Sequence, residues 1–189
     1  MNDAGSPRIY TKTGDDGTTG RLFGGRIGKD DLLVEVCGDV DEAVAALGTA
    51  RAALIDRPDL AHSVLTLQRQ LFVVGADLMA NPRARDRLAP RVSQVTIEMI
   101  DSVEQTIDRL VTEQPLRPVF IVPGATTASA ALDLARAIIR RAERHSVRAH
   151  RDDRPISVEV ATFLNRASDL AYVLARHAAG TAEEPISHT

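Results

Sequence analysis

The stretch PDLAHSVLTLQRQLFVVGADLMA, residues 58–80 of a 189-residue chain, decides the fold. Its large aliphatic side chains Leu60, Val64, Leu67, Leu71, Val74 and Leu78 recur at alternating intervals of four and three. That spacing lays them along one stripe of an α-helix, and a stripe several turns long needs other helices to cover it. The same period continues on both sides. Upstream, Val40, Val44, Leu47 and Leu54 share a stripe; downstream, about Ser93 to Thr112 directs Ile97, Ile100, Val103, Ile107 and Leu110 inward. A fourth helix is expected to open near Thr126 to Ser129, whose hydroxyls can cap it, and to run to about Ala149. A fifth, from about Ser157 to Ala178, turns Val160, Leu164, Ala167, Ala171, Leu174 and Ala178 to the core.

The connections read differently. Asn81 to Pro90, with prolines near both ends, is expected as a loop, and Arg151 to Pro155 as a turn. Pro115, Pro118, Pro123 and Gly124 bracket Val119-Phe120-Ile121-Val122, which is too short for a helix. Five helices in succession predict a single all-α bundle over residues 8–179. Residues 1–7 are polar and patternless and are expected to be disordered; residues 180–189 are expected to form a frayed tail.

Composition agrees with helices. Aromatic residues are only 3% and Trp is absent, whereas a β-sandwich leans on aromatic and β-branched side chains. The net charge of −3 gives no general basic field, which argues against nucleic acid as the main partner. A lone cysteine, Cys37, cannot make an internal disulfide and fits a reducing compartment. No run of 18 apolar residues exists and the amino terminus has no signal-peptide core, so no membrane association and a cytoplasmic location are expected.

Chemistry concentrates in four places. Thr11-Lys12-Thr13-Gly14-Asp15-Asp16-Gly17-Thr18-Thr19-Gly20 spaces three glycines at intervals of three, which lets backbone amides approach an anion. Threonine hydroxyls and Lys12 add donors, and Asp15 or Asp16 suits a magnesium ion beside phosphates. The spacing is neither a Walker A loop nor a dinucleotide fingerprint, and a solvated Gly/Thr turn has the same composition. Arg26 and Lys29 add positive charge just downstream. On the fourth helix Arg136, Arg140 and Glu143 share one face, with Arg141, Arg144 and Arg148 on an adjacent stripe. This is either a polyphosphate clamp or a solvated face. Asn165 and Asp169 share a face of the fifth helix, as structural network or as site residues, and Asp41-Glu42 stands in the first helix, as surface charge or as partner to an arginine. The five histidines have no metal spacing and no Glu-x-x-His occurs, which disfavours a di-iron bundle; Cys37 reads as a small helix residue.

Six segments together resemble the PduO-type ATP:cob(I)alamin adenosyltransferase family. They are Tyr10 to Gly20, Gly38-Asp-Val-Asp-Glu42, Gln70-Leu-Phe-Val-Val-Gly-Ala-Asp-Leu78, Phe120-Ile-Val-Pro-Gly124, Ala135 to Arg144, and Phe163-Leu-Asn-Arg-Ala-Ser-Asp169. They occur in the family's order. The resemblance implies a ferritin-like five-helix bundle that assembles as a homotrimer, with sites between neighbouring subunits. It also implies transfer of the 5′-deoxyadenosyl group from ATP to cob(I)alamin, releasing triphosphate, with Mg2+ on the phosphates. Thr11 to Thr19 and Lys29 would then wrap the phosphates, and Arg140, Glu143, Arg144 and Asn165 would complete the nucleotide site. Arg136 would pair with Asp41 of a neighbour. Phe120 would press on the lower face of the corrin and keep cobalt four-coordinate. A flavoprotein reductase and an adenosylcobalamin-dependent acceptor enzyme are the further partners implied. Two departures stand out: Ala125 where the family has a second glycine, and Ala43-Val44 where it has Leu-Asn. The alternatives to this activity are an ATP-dependent phosphoryl transferase and a noncatalytic helical module that binds an acidic partner.

Overall fold

Five long helices carry the structure, a computed structural model that describes residues 9–186. They are α1 (Leu32–Ala52), α2 (Pro58–Leu78), α3 (Ile97–Glu113), α4 (Thr127–Arg151) and α5 (Val158–Ala179). α1 packs against α2 and α4, and α5 packs against α4, α3 and, less extensively, α2. All six positions of the 58–80 stripe are buried, and on α5 Phe163, Leu164, Ala167 and Leu174 are fully enclosed. Each large aliphatic or aromatic side chain so buried contributes about 1.5–3 kcal/mol by leaving water. The expected disorder of residues 1–7 lies outside the described residues.

Local chemistry sets the helix ends. Asp31 accepts the Leu33 amide at 2.9 Å and starts α1. Thr126 and Ser129 form a reciprocal capping box at α4, each side chain taking the other's backbone N–H, at 3.0 and 2.9 Å. The expected hydroxyl cap is therefore present and doubled.

Three readings are corrected. Ile97 is 61% exposed, not inward: it is the first residue of α3, and Met99 takes the buried place instead. The loop from Asn81 contains a short 3-10 segment, Pro82–Arg87, which Asn81 caps through Arg83 N at 3.0 Å. The segment after Gly180 is tied down through Ile186. β4 (Glu184–Pro185) pairs antiparallel with β3 (Ile121–Val122), and the Ile186 amide donates to the Phe120 carbonyl at 3.0 Å. Next to it lies Arg176, only 4% exposed, whose Nη2 meets Asp133 Oδ2 at 2.5 Å and whose Nε lies 3.7 Å from Glu183 Oε1.

A second ribbon, β1 (Thr18–Gly20) against β2 (Arg26–Gly28), positions the amino-terminal loop. It is fastened to the end of α2: the Leu22 amide donates to Met79 O, the Asn81 amide to Leu22 O, and Asn81 Nδ2 to Gly24 O, each at 2.9 Å.

Candidate functional site

The loop ahead of β1 is held from inside. Lys12 and Gly17 adopt positive φ (61° and 81°), which folds the backbone back on itself; glycine takes this without strain and lysine does not. Asp16 Oδ1 accepts both the hydroxyl (2.7 Å) and the amide (2.9 Å) of Thr18. Those bonds, the hydroxyl's first, hold the Asp16 carboxyl below its ordinary value, with smaller help from Arg26. Arg26 donates to Thr18 Oγ1 at 2.6 Å and to the Thr13 carbonyl, and Lys29 Nζ donates to Gly14 O at 2.7 Å. Thr11 and Thr13 hydroxyls share a bond of 2.8 Å. Arg26 and Asp16 thus brace the loop itself, whereas Lys12, Asp15 and Thr19 make no side-chain hydrogen bond among the described residues. The described residues contain no cluster of three metal-ligating side chains. Asp15, exposed at the loop's edge, suits a magnesium ion that takes its remaining ligands from phosphates and water.

On α4 the arginines divide by face. Arg140 and Arg144 are exposed and form no ion pair among the described residues. Arg141 turns toward α1, where Nε donates to Asp39 Oδ1 at 2.8 Å and Nη2 reaches Glu42. Its hydrogen bonds to the carboxylates of Asp39 first and Glu42 second raise its pKa further, so it is a fixed cation. His145 Nδ1 joins the same group, 2.7 Å from Asp39 Oδ2 and 3.8 Å from Glu35 Oε1. Asp39, 7% exposed, is the centre of this group; it lies within the Gly38–Glu42 motif, but sequence reading assigned it no role. The Arg140–Glu143 surface pair that the spacing allowed does not form. Glu143 Oε1 instead accepts Asn165 Nδ2 at 3.0 Å, which joins two of the expected nucleotide residues.

A mostly apolar cleft of about 430 Å3 runs between α1 and α2, lined by Thr19, Cys37, Gly38, Asp41, Phe72 and Gly75. Phe72 is largely exposed there. Burial, with the Asp41 charge second, pushes the Cys37 thiol up, so it is a poor nucleophile at neutral pH. Val44, one of the two departures, lines this cleft, while Ala43 is core. Arg136 lies on another side of the molecule, its Cζ 5.3 Å from the centre of the Tyr172 ring. Asp41 and Arg136 do not pair within one chain, and no hydrogen bond or ion pair among the described residues links the Thr11–Thr19 loop to Arg140, Glu143, Arg144 or Asn165. Phe120 is 83% exposed beside Pro123 and Gly124, so it is not part of the core.

Comparison with known proteins finds relatives across most of the chain. The family model of cobalamin adenosyltransferase fits residues 9–178. The corrinoid adenosyltransferase of Citrobacter freundii is 38% identical over 169 residues, 89% of this chain and 93% of that protein. That of Bacillus subtilis is 39% identical over 172 residues, covering 89% and 85%. A variant PduO-type ATP:corrinoid adenosyltransferase from Lactobacillus reuteri, complexed with cobalamin and ATP, superposes with a TM-score of 0.79 at 32% identity, covering 91% of this chain and 93% of that one. Another variant, complexed with ATP, gives 0.78 at 31% identity, over 90% and 94%. With a matching family model over most of its length and the six motifs in order, the chain belongs to the cobalamin adenosyltransferase family.

Proposed function

We propose that the chain transfers the 5′-deoxyadenosyl group of ATP to cob(I)alamin, giving adenosylcobalamin and triphosphate. The observation that carries this is its close likeness to a protein of the same fold complexed with cobalamin and ATP together. Reduced cobalt supplies the electron pair that forms the bond to C5′, the C5′–O bond breaks, and its electrons leave on the triphosphate. That leaving group is a strong anion, and positive charge fixed in advance where it develops lowers the barrier.

The residues assigned to this task are those of the loop and of the exposed arginines. Thr11, Lys12, Thr13, Gly14, Asp15, Gly17, Thr18, Thr19 and Lys29 wrap the phosphates, with Asp16 keeping the loop in shape. Arg140 and Arg144 approach from a neighbouring subunit, and Glu143 and Asn165 bind the nucleoside side. What supports a composite site is that loop and arginines are unconnected within one chain, while both remain open to solvent. Arg136 and Asp41, each without an ion-pair partner among the described residues, then join across the boundary of a homotrimer. The apolar cleft beside Asp41 supports burial against a second copy. Phe120 meets the corrin from below and excludes an axial ligand. Without that ligand the accepting cobalt orbital falls in energy, and a cellular reductase can supply the electron. The remaining task of the pocket is to align cobalt and C5′. A flavoprotein reductase, an acceptor enzyme for the product and a cytoplasmic setting belong to the same reading.

The test is anaerobic incubation with chemically reduced cob(I)alamin and MgATP, followed in the visible spectrum and by phosphate analysis. Adenosylcobalamin and triphosphate are expected in equal amounts. Release of ADP would identify a phosphoryl transferase, and no turnover would leave a binding module. A folded Arg140→Ala variant is expected to lose at least about tenfold in kcat/KM for ATP, the scale of one charge-assisted hydrogen bond.

A further inference from the structure

Asn165 stands between two groups of opposite character. Its Nδ2 donates to Glu143 Oε1 at 3.0 Å, and its Oδ1 accepts from Arg166 Nη1 at 2.5 Å. Arg166 in turn donates through Nε to Glu104 Oε1 at 2.6 Å. Glu104 belongs to α3, Asn165 and Arg166 to α5, and Glu143 to α4. A chain of three polar contacts thus crosses the bundle from α3, through α5, to the face of α4 that carries the exposed arginines. All four side chains are at most partly buried, and Glu104 and Arg166 line a cleft of about 460 Å3 between α3 and α5.

A carboxamide presents an oxygen on one side and an amino group on the other, and alone it is free to turn over. Here it is not free. Glu143 can only accept and Arg166 can only donate, so turning the amide would set oxygen against carboxylate and amino group against guanidinium. The planar fork of Arg166 holds Glu104 with one arm and Asn165 with another, which a lysine cannot reproduce in the same geometry. Fixing Asn165 also fixes Glu143, which would otherwise swing toward Arg140, three residues earlier on its own helix. A carboxylate among phosphate-binding arginines repels phosphate. Its free oxygen therefore suits a hydroxyl or amino group of a nucleoside, provided it stays where it is.

We infer that Arg166 and Glu104 are positioning residues for nucleotide recognition: together they lock the Asn165 amide, and through it Glu143, in the orientation that receives the nucleoside. This rests on the assignment of Asn165 and Glu143 to the ATP site. It also gives α3, which contributes no residue to that site, a part in forming it.

The experiment compares Arg166→Met, Arg166→Lys, Glu104→Gln and Asn165→Ala as full-length proteins, by steady-state kinetics with MgATP and by thermal melting. Arg166→Met is expected to raise the KM for ATP about tenfold with a smaller fall in kcat. Glu104→Gln and Arg166→Lys should raise it less, and the Glu104→Gln/Arg166→Met pair should be no worse than Arg166→Met alone, because both act through one amide. A purely structural ion pair predicts a lower melting temperature with the KM of wild type, and that result would overturn the inference. If Arg166→Met does not fold, Glu104→Gln, which keeps the side chain's size, decides the matter by the same criterion. Should Asn165→Ala itself leave the KM for ATP unchanged, the nucleotide-site assignment fails; should it raise KM while Arg166→Met and Glu104→Gln do not, only the positioning role fails.

Discussion

Phe120 shows how one residue's surroundings select between two roles that sequence leaves open. A phenylalanine in an apolar run is ordinarily core. Here only Ile121–Val122 of the run form a strand, Phe120 precedes it, and the ring projects into solvent. An exposed ring of that size has no folding task to explain it, which supports the corrin-facing role. Phe120→Ala is accordingly expected to stay within about 0.5 kcal/mol of wild-type stability. Turnover from cob(II)alamin should fall by about tenfold or more, and turnover from pre-reduced cob(I)alamin by less, because the substitution strikes the step in which the axial ligand is lost. Electron paramagnetic resonance with ATP bound should show less four-coordinate cob(II)alamin. Equal losses in both assays with a lowered melting temperature would return the residue to the core. At this scale the motif residues were readable because each sits in a short contiguous pattern. The pairings of Arg176 and Asp39 were not: their partners lie far along the chain, and a long-range ion pair leaves no periodic trace.

The helices were the most readable elements, since a stripe such as Leu60 to Leu78 needs only the 3.6-residue period to be recognised. Where the period runs out, so does the reading. Ile97 continues the α3 stripe in sequence but falls in the first turn, beyond what α5 covers. β4 was missed because two residues of strand have no pattern of their own and exist only through pairing with β3. Between α1 and α4 the pattern predicts contact but not how the two helices are locked along their length. Asp39, held by Arg141 and His145, supplies that lock. Asp39→Asn keeps the volume and removes the charge, leaving the Arg141 guanidinium short of one partner. A loss of about 1–3 kcal/mol is expected, read as a lower melting temperature in calorimetry. A variant that melts with the wild type would show that the Asp39 charge is not what fixes α1 on α4.

For the whole molecule the decisive property is incompleteness. Among the described residues, one chain keeps its glycine-rich amino-terminal loop apart from the exposed Arg140 and Arg144, and it leaves an apolar cleft beside Asp41, which has no ion-pair partner there. The proposed homotrimer would answer all three at once. Sedimentation velocity should show a trimer for the wild type. Asp41→Arg is expected to shift it to monomer with loss of activity, and the exchange Asp41→Arg with Arg136→Asp should restore both in part. A monomer that is stable and fully active would refute the arrangement. Periodicity and spacing alone could not suggest such an arrangement, because the residues of a site between subunits are related by symmetry; only the resemblance of the six motifs implied it.

The β3–β4 ribbon carries a consequence for how the protein is made. The strand that fixes the segment bearing Phe120 is synthesised after α4 and α5, so Phe120 waits for nearly the entire bundle before its backbone carbonyl finds the Ile186 amide. Earlier stretches can fold as they emerge, but this one closes late. A chain interrupted in its last turns can therefore assemble a bundle and a nucleotide loop while leaving unfastened the ring assigned to the corrin. On the ribosome, the bundle and the amino-terminal loop are expected to form before the segment that bears Phe120 is fastened.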